Sequence, residues 1–444
     1  MPERLFDRIV GYGSIVAIIQ NNKKHTYLEL SEKISEKRRY LKSIHCQKCN
    51  VCLISDYSFE SISYLIALWL EGNIVALIAS SVEISKVDDL IAINKPAYVL
   101  NSNGSTTKLL KLNNGENHYL INNLITLNES GYVIFSSGSS GIPKAAVHQT
   151  SLLIEKHSLK GRALITISFL LFDHIGGLNT LLRNLMNGGT LAIPPDRRCS
   201  TISKMIEKFN VQALVTTPTF LNLLFLSKSF DLHDFNSLDN INYGTEPMPL
   251  QLLEKIRERL PNTKLSQAYG LTETGVVPIK SISSDSNRFI IDDSICQYRV
   301  VNGLLEIKTN TTMLGYLNSE SQTTNDGYFK TGDVVVVENN SIQIIGRKSE
   351  LINIGGEKFY PAEIEHVLLK MDGVIDVAVT KKPNLILGQI ISAQIQVDKL
   401  IPENEFRKLF LLFCKKNLSK SRTPQQLFQT LEPLHNYRFK KIRK

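Results

Sequence analysis

The sequence contains neither a Gly-x-x-x-x-Gly-Lys-Ser/Thr run nor a Gly-x-Gly-x-x-Gly run. That excludes the Walker loop and the dinucleotide fingerprint as frames for any nucleotide site. It also lacks a long apolar run. Residues 62–79 come nearest, but Glu71-Gly72-Asn73 breaks them into a helix, a turn and a strand, so no stable membrane insertion is expected. Cysteine is sparse, at six residues. Cys46, Cys49 and Cys52 lie beside His45, yet a structural zinc site needs a second ligand pair, and none is evident. Residues 50–54 read instead as a buried strand, in which Cys52 acts as a small hydrophobe. With free thiols and no signal-peptide pattern, a reducing, cytoplasmic setting is expected. Internal repeats and long low-complexity tracts are absent as well.

Charge is unevenly spread. The chain carries a net +9, and residues 401–444 hold eleven Lys/Arg against three Asp/Glu, leaving the first 400 residues nearly neutral. A basic tail suits nucleic acid, a membrane surface or a phosphate-rich substrate. No nucleic-acid motif or aromatic-interleaved basic stripe accompanies it, so no nucleic-acid partner is expected.

At 444 residues the chain is too long for one compact core, and two or more domains are expected. Helical spacing over 26–43 is followed by a strand at 51–54, a helix at 59–70 and a strand at 74–78. A helix at 87–93 and a strand at 97–100 continue the rhythm. Residues 101–130, rich in Asn, Ser and Lys, read as surface connections around short strands. Beyond residue 150 the alternation resumes, with strands at 163–169, 190–193, 213–216, 240–243 and 264–268 and helices at 177–186, 202–209 and 220–226. This pattern argues for parallel sheet covered by helices. Shorter strands at 304–308, 334–338 and 342–345 mark a change of character. A small α+β unit follows, with a helix at 361–370 and a strand at 374–379.

Residues 135–149 are the most informative stretch. After an apolar strand at 132–135, Ser136-Ser137-Gly138-Ser139-Ser140-Gly141 runs into Ile142-Pro143-Lys144. Small residues let backbone N–H groups close around an anion, serine hydroxyls add donors, and Lys144 adds positive charge. A flexible Ser/Gly linker would share this composition. Further on, Gly244-Thr245-Glu246 and Tyr269 follow predicted strands, at the carboxyl ends where open α/β sheets bind ligands.

The serine–glycine run resembles the phosphate-binding signature of the adenylate-forming superfamily, with Ala145 in place of the usual last glycine. The similarity extends in order through Tyr269-Gly270-Leu271-Thr272-Glu273, Tyr328 to Asp333, Gly346-Arg347 to Ile352, Gly355-Gly356-Glu357 to Glu365, and the tail Lys441-Ile442-Arg443-Lys444. It covers nearly the whole chain. Gly346 to Glu365 is especially similar to small acyl- and aryl-CoA ligases such as o-succinylbenzoate–CoA ligase. The resemblance implies an α/β fold. Residues 1–347 would form a large N-terminal domain of layered βαβ subdomains with a smaller β-rich subdomain. Residues 348–444 would form a small, mobile α+β lid.

It also implies roles. The 136–144 loop would hold the β- and γ-phosphates of ATP, Thr272 the α-phosphate and Glu273 a Mg²⁺ ion. Asp333 would bind the ribose hydroxyls, with Arg347 supporting ribose or phosphate. Tyr269 and Gly244-Thr245-Glu246 would border adenine. Phe172-Asp173-His174-Ile175-Gly176-Gly177 resembles the segment lining the acyl pocket, which makes His174 a pocket residue. In amino-acid-activating relatives an aspartate at the place of Asp173 binds the substrate ammonium. The serine that follows there is Ile175 here, which favours a simple carboxylate. Lys441 is the implied terminal lysine, with Lys440 its neighbouring alternative. Gly355 and Gly356 would flank a pantetheine arm. The implied activity is that of an AMP-forming acid–thiol ligase acting on a small carboxylic acid, with coenzyme A as acceptor. A carrier-protein phosphopantetheine as acceptor and a non-catalytic nucleotide-binding homologue are the alternatives.

Overall fold

The structure is a computed structural model. It describes the chain except residues 104–105, 113–115, 137–141, 355, 385–387, 437–438, 440 and 444. Two seven-stranded sheets form its larger part. In the first, strands Tyr98–Asn103, Asn50–Ile54, Ile74–Ile78 and Gly131–Ser136 run parallel. Their side chains are almost all buried, as expected of strands covered on both faces. Lys144–Gln149 then returns antiparallel, with Ser136 paired directly to Lys144. The serine–glycine run therefore springs from the ends of two adjacent strands, and residues 137–141 lie outside the described residues.

The second sheet has the order Lys264–Gln267, Asn240–Tyr243, Ala213–Thr216, Ile165–Ile167, Thr190–Ile193, Val16–Gln20, Lys23–Thr26, parallel except for its last strand. Between the sheets lies the largest core, joining strand residues such as Leu53 and Leu191 to helices Phe59–Leu70 and Ile175–Asn187. Phe59–Leu70 is apolar on nearly every side because both of its faces are covered. Ser58 starts it through a reciprocal capping box with Ser61.

A six-stranded antiparallel sheet follows, in which Phe329–Glu338 pairs with Ser341–Arg347. The chain then passes through the short 3-10 turn Lys348–Glu350 into a smaller unit. There strands Val374–Asn384, Gly388–Val397 and Gln426–Thr430 pack on helices Pro361–Leu368 and Glu403–Asn417 around their own core.

The expected alternation is present, with differences in detail. The strand expected over 163–169 is only Ile165–Ile167. Residues 101–130 hold more order than their composition suggests. Tyr98–Asn103 and Thr106–Lys111 pair as an edge hairpin, and Tyr119–Thr126 is a helix whose Leu120, Ile121 and Leu124 cover the sheet. Lys108 and Lys111 on that outer strand suit a solvent-facing sheet edge.

Candidate active site

The site lies where the strands of the second sheet end. Gly244 follows Asn240–Tyr243, and a Cβ there would stand 2.5 Å from the Ala268 carbonyl oxygen. Gly270 is equally constrained, with a Cβ placed 2.4 Å from the Gly275 oxygen. Gly244 lets two strand ends meet backbone to backbone, and Gly270 does the same across the hairpin of Tyr269–Leu271 with Gly275–Val277. Thr245 between them has φ +74°. Glu246 accepts a hydrogen bond from the Thr219 N–H at 3.0 Å, and burial holds its carboxyl above the ordinary value.

Tyr269 turns its ring onto Phe289, at 5.7 Å between centroids, and its hydroxyl donates to Asp333 Oδ2 at 2.6 Å. Asp333 Oδ1 lies 3.2 Å from Arg347 Nε, its cross-strand partner in the β-rich sheet. Asp333 is buried. Desolvation raises its pKa despite the opposing guanidinium, and burial together with Asp333 lifts the Tyr269 phenol well above its usual range. A cavity of about 150 Å³ opens here, lined by Thr245, Tyr269, Asp333, Arg347, Glu350 and Arg443 among others.

The stems of the serine–glycine run converge on Glu273. Ser136 Oγ donates to Glu273 Oε1 at 3.3 Å, and the Tyr316 hydroxyl donates to the same oxygen at 2.7 Å. Lys144 Nζ stands 5.2 Å from the Tyr316 ring centroid. Thr272 precedes Glu273, half-buried at the turn of the hairpin formed by Tyr269–Leu271 and Gly275–Val277. Sequence reasoning missed Tyr316. It sits on a two-residue edge strand paired to Ala146, and only that pairing brings it to the loop.

A second cavity, of about 360 Å³, shares the wall Thr245, Gln267, Ala268, Tyr269 and Gly270 with the first. His174 borders it and caps helix Ile175–Asn187, its Nδ1 accepting from the Gly176 N–H at 3.1 Å. A Cβ at Gly177 would lie 2.0 Å from the Leu171 oxygen, so the helix start is pressed against the preceding turn. Asp173 is buried and accepts from the Ala79 N–H at 3.3 Å, and it is not among the lining residues.

Residues of the smaller C-terminal unit lie beside this region. Lys441 Nζ is 2.9 Å from Asp376 and 3.8 Å from Glu365. Arg443 grips both oxygens of Glu365, at 2.9 and 3.0 Å, and reaches Glu350 at 3.1 Å. Burial alone would raise the Glu365 pKa, but Lys441 and Arg443 lower it overall. Burial likewise opposes the Lys441 charge, and Glu365 and Asp376 outweigh it. Lys441 therefore faces a third cavity, of about 550 Å³, together with Glu246 and Asp376. Arg443, which sequence reasoning left without a role, lines both this cavity and the one of about 150 Å³.

Gly356 is exposed, with φ +86° and nothing within 4 Å of a Cβ. Its need for glycine in this arrangement is conformational rather than one of crowding. It is also absent from the described lining of the three cavities. Gly355, Lys440 and the loop residues Ser137, Gly138, Ser139, Ser140 and Gly141 lie outside the described residues. Phe439 packs on Phe169 and Phe220, at 5.1 and 5.4 Å, with Arg197 5.4 Å from its ring.

A buried carboxylate bridged to a phenol and a guanidinium, an acidic oxygen flanked by hydroxyls, and basic residues of the C-terminal tail surround two adjoining cavities. Residues 5–316 match the AMP-binding enzyme family, and the chain belongs to it. Among curated relatives, 2-succinylbenzoate–CoA ligase of Bacillus pumilus is 28% identical over 463 residues, covering 95% of this chain and 93% of that protein. The Bacillus licheniformis ligase of the same name is 30% identical over 272 residues, 57% of this chain. There the match spans only about half of the relative's length, 55%. Solved structures share the fold over nearly the full length. The Bacillus subtilis o-succinylbenzoate CoA synthetase with its acyl-adenylate intermediate has a TM-score of 0.79 at 20% identity, covering 100% of this chain and 97% of that one. The anthranilate CoA ligase AuaEII with anthranoyl-AMP gives 0.81 at 16%, covering 99% and 95%. Among the described residues no helix is long and apolar enough to cross a membrane.

Proposed function

We propose that this chain is an AMP-forming acid–thiol ligase. An oxygen of a small carboxylic acid attacks the α-phosphorus of ATP, the bond to the β-phosphate breaks, and pyrophosphate leaves. The sulfur of a pantetheine thiol, that of coenzyme A, then attacks the acyl carbon, and AMP departs. The observation that carries this reading is the wall shared by the two cavities. An acid in the larger and a nucleotide in the smaller would meet across Thr245 and Ala268 to Gly270.

Each residue has a part in that scheme. Asp333, held by Tyr269 and Arg347, accepts the ribose hydroxyls, and Arg347 keeps a donor face toward the nucleotide. Gly244, Thr245 and Glu246 border the base. Ser136 and Lys144, with Ser137 to Gly141 between them, hold the outer phosphates, and Thr272 holds the inner one. His174 positions the acid. Glu273 with its surrounding hydroxyls offers hard oxygen donors that fit Mg²⁺, the substrate phosphates completing the set. When bound, that ion neutralises phosphate charge.

Residues 1–347 form the body and 348–444 a lid hinged near Lys348–Glu350. The lid brings Lys441 to the phosphates for the first step and Gly355-Gly356 to the thiol for the second. The partners that hold Lys441, Asp376 and Glu365, belong to the lid itself and travel with it. The six free thiols suit a cytoplasmic setting.

Acid-dependent ATP–pyrophosphate exchange, followed by thioester formation on adding coenzyme A, tests this function. Exchange with no carboxylic acid would overturn it. Thioester formed only on a carrier-protein phosphopantetheine would reassign the acceptor.

A further inference from the structure

Two sulfurs that the two-step reaction does not use lie at the far end of the first sheet. Cys46 and Cys49 sit in the turn between helix Tyr27–Ser43 and strand Asn50–Ile54, with their Sγ atoms 4.0 Å apart. Both are free thiols; Cys46 is fully buried and Cys49 is partly open. His45 and Lys48 take left-handed backbone angles, φ +57° and +49°, which fold the chain tightly around the pair. Asn73, just before strand Ile74–Ile78, pins both cysteines. Its Oδ1 accepts from the Cys49 N–H at 3.1 Å and from the Cys49 thiol at 3.2 Å, and its Nδ2 donates to the Cys46 carbonyl at 3.2 Å. The Lys48 N–H adds a bond to the Glu71 carbonyl at 3.0 Å.

The two thiols are not equivalent. With the Cys49 thiol donating to Asn73, the sulfur–sulfur contact is a Cys46 S–H donated to the Cys49 sulfur. That bond lowers the Cys49 pKa against the effect of burial, and the same contact together with burial raises that of Cys46. The thiolate, the form that meets an oxidant, therefore belongs to the more open sulfur. Cys46 needs no access to solvent to act as the second sulfur. Closing 4.0 Å to a bond of about 2 Å takes a small movement within one turn. Among the described residues no group of three His, Cys, Asp or Glu side chains could hold a metal ion, so the pair has no third ligand there.

We propose that Cys46 and Cys49 form a reversible redox site, in which Cys49 reacts with hydrogen peroxide and Cys46 resolves the product as a disulfide. The Cys49 sulfur attacks a peroxide oxygen, the O–O bond breaks and water leaves, giving a sulfenic acid. The Cys46 sulfur then attacks the Cys49 sulfur, the S–O bond breaks, and a second water leaves with the Cys46 proton. Two thiols lose two electrons and two protons, and one peroxide becomes two waters. A thiol reductant restores the pair by exchange. The turn lies at the amino ends of strands Asn50–Ile54 and Ile74–Ile78. The neighbouring strand Gly131–Ser136 carries the serine–glycine run at its carboxyl end, about 16 Å further along. Oxidation here is set apart from the acyl chemistry, and the proposal does not depend on the ligase reading.

The full chain is treated with hydrogen peroxide, its remaining thiols are blocked, and it is cut with trypsin. Cleavage after Lys48 places the two cysteines on separate peptides, 43–48 and 49–86. These peptides should stay joined, two hydrogens lighter than their sum, and part on reduction. Peptide 49–86 also carries Cys52, so Cys52→Ser should keep the joined product and Cys49→Ser should abolish it. Cys46→Ser should leave a sulfenic acid on Cys49, trapped by dimedone. Cys49 should be consumed about tenfold faster than Cys199, the other cysteine that is not fully buried. Equal consumption of Cys49 and Cys199, a joined product that persists in Cys49→Ser, or Cys49 carried to a sulfinic acid while Cys46 stays reduced would overturn the proposal. Where exchange activity is present, oxidation should change it less than about twofold. Exchange that is lost with the joining of the peptides and returns on reduction would overturn the separation of this site from the chemistry.

Discussion

The Tyr269 hydroxyl donates to Asp333 Oδ2 at 2.6 Å while Arg347 Nε holds the other oxygen at 3.2 Å. A carboxylate in so little water would otherwise protonate, and its pKa is indeed raised by burial. The pair joins a strand end of the second sheet to the β-rich sheet, so the carboxylate is presented by two separate layers.

Asp333→Ala should weaken ATP use by about 1.5–3 kcal/mol, the worth of hydrogen bonds to a charged group. The parent enzyme should favour ATP over dATP, and the variant should lose that preference. KM and kcat for both nucleotides in pyrophosphate exchange check this. Equal use of the two by the parent removes Asp333 from the ribose.

Lys441 and Arg443 should separate by assay. Lys441→Ala should cripple acyl-adenylate formation and leave thioester formation from supplied acyl-adenylate largely intact. If Lys440→Ala gives that pattern instead, the catalytic lysine is its neighbour. Arg443→Ala strips Glu365 of a two-oxygen partner but leaves Lys441 beside it, which should cost about 1.5–3 kcal/mol of stability in the C-terminal unit. Chemical denaturation followed with a probe on the lid measures it.

Gly356 tests the thiol route. Its φ of +86° means that even alanine is strained, at roughly 1–2 kcal/mol. Gly356→Ala should slow thioester formation modestly, and Gly356→Leu, adding bulk, should abolish it, both keeping acid-dependent exchange. The two half-reactions assayed separately decide this. Unchanged thioester formation in Gly356→Leu sends the thiol elsewhere.

Acid should destabilise the protein through His148. Its ring is buried and stacked on Tyr132 at 4.8 Å, and burial pushes its pKa from 6.5 to about 4. Between those values the unfolded chain binds a proton that the folded chain refuses. Stability is therefore complete above pH 6.5 and falls as pH drops toward 4, by about 3 kcal/mol from this group. His157, depressed to about 3, adds in the same direction. His148→Phe should flatten the urea midpoint's slope with pH by about one proton. An unaltered slope would mean that His148 is not the group responsible.

The parts of the site legible in the sequence are those carried by contiguous motifs. Ser136 and Lys144 close a short run whose composition suits an anion, whereas Glu273, and Asp333 with Arg347, stood out only because their runs resemble the family's motifs. Tyr316, Phe439 and Arg443 were not legible as site residues, because each matters through a distant contact: an edge pairing to Ala146, a seat on Phe169, a grip on Glu365. The hairpin and helix within 101–130 were hidden for another reason. An exposed edge carries polar residues, so its composition resembles that of a loop.

In the proposed domain alternation, Phe439 would make the tail a timer. If residues 348–444 swing on Lys348–Glu350 as proposed, they draw this ring out from beside Phe169 and Phe220 in each cycle and seat it again. Withdrawing a half-buried phenyl ring with its aromatic contacts costs about 1–2 kcal/mol, roughly a tenfold lengthening of the closed dwell. On that scheme, the interval during which an unstable mixed anhydride stays shielded from hydrolysis would be set by one aromatic side chain, two residues from Lys441.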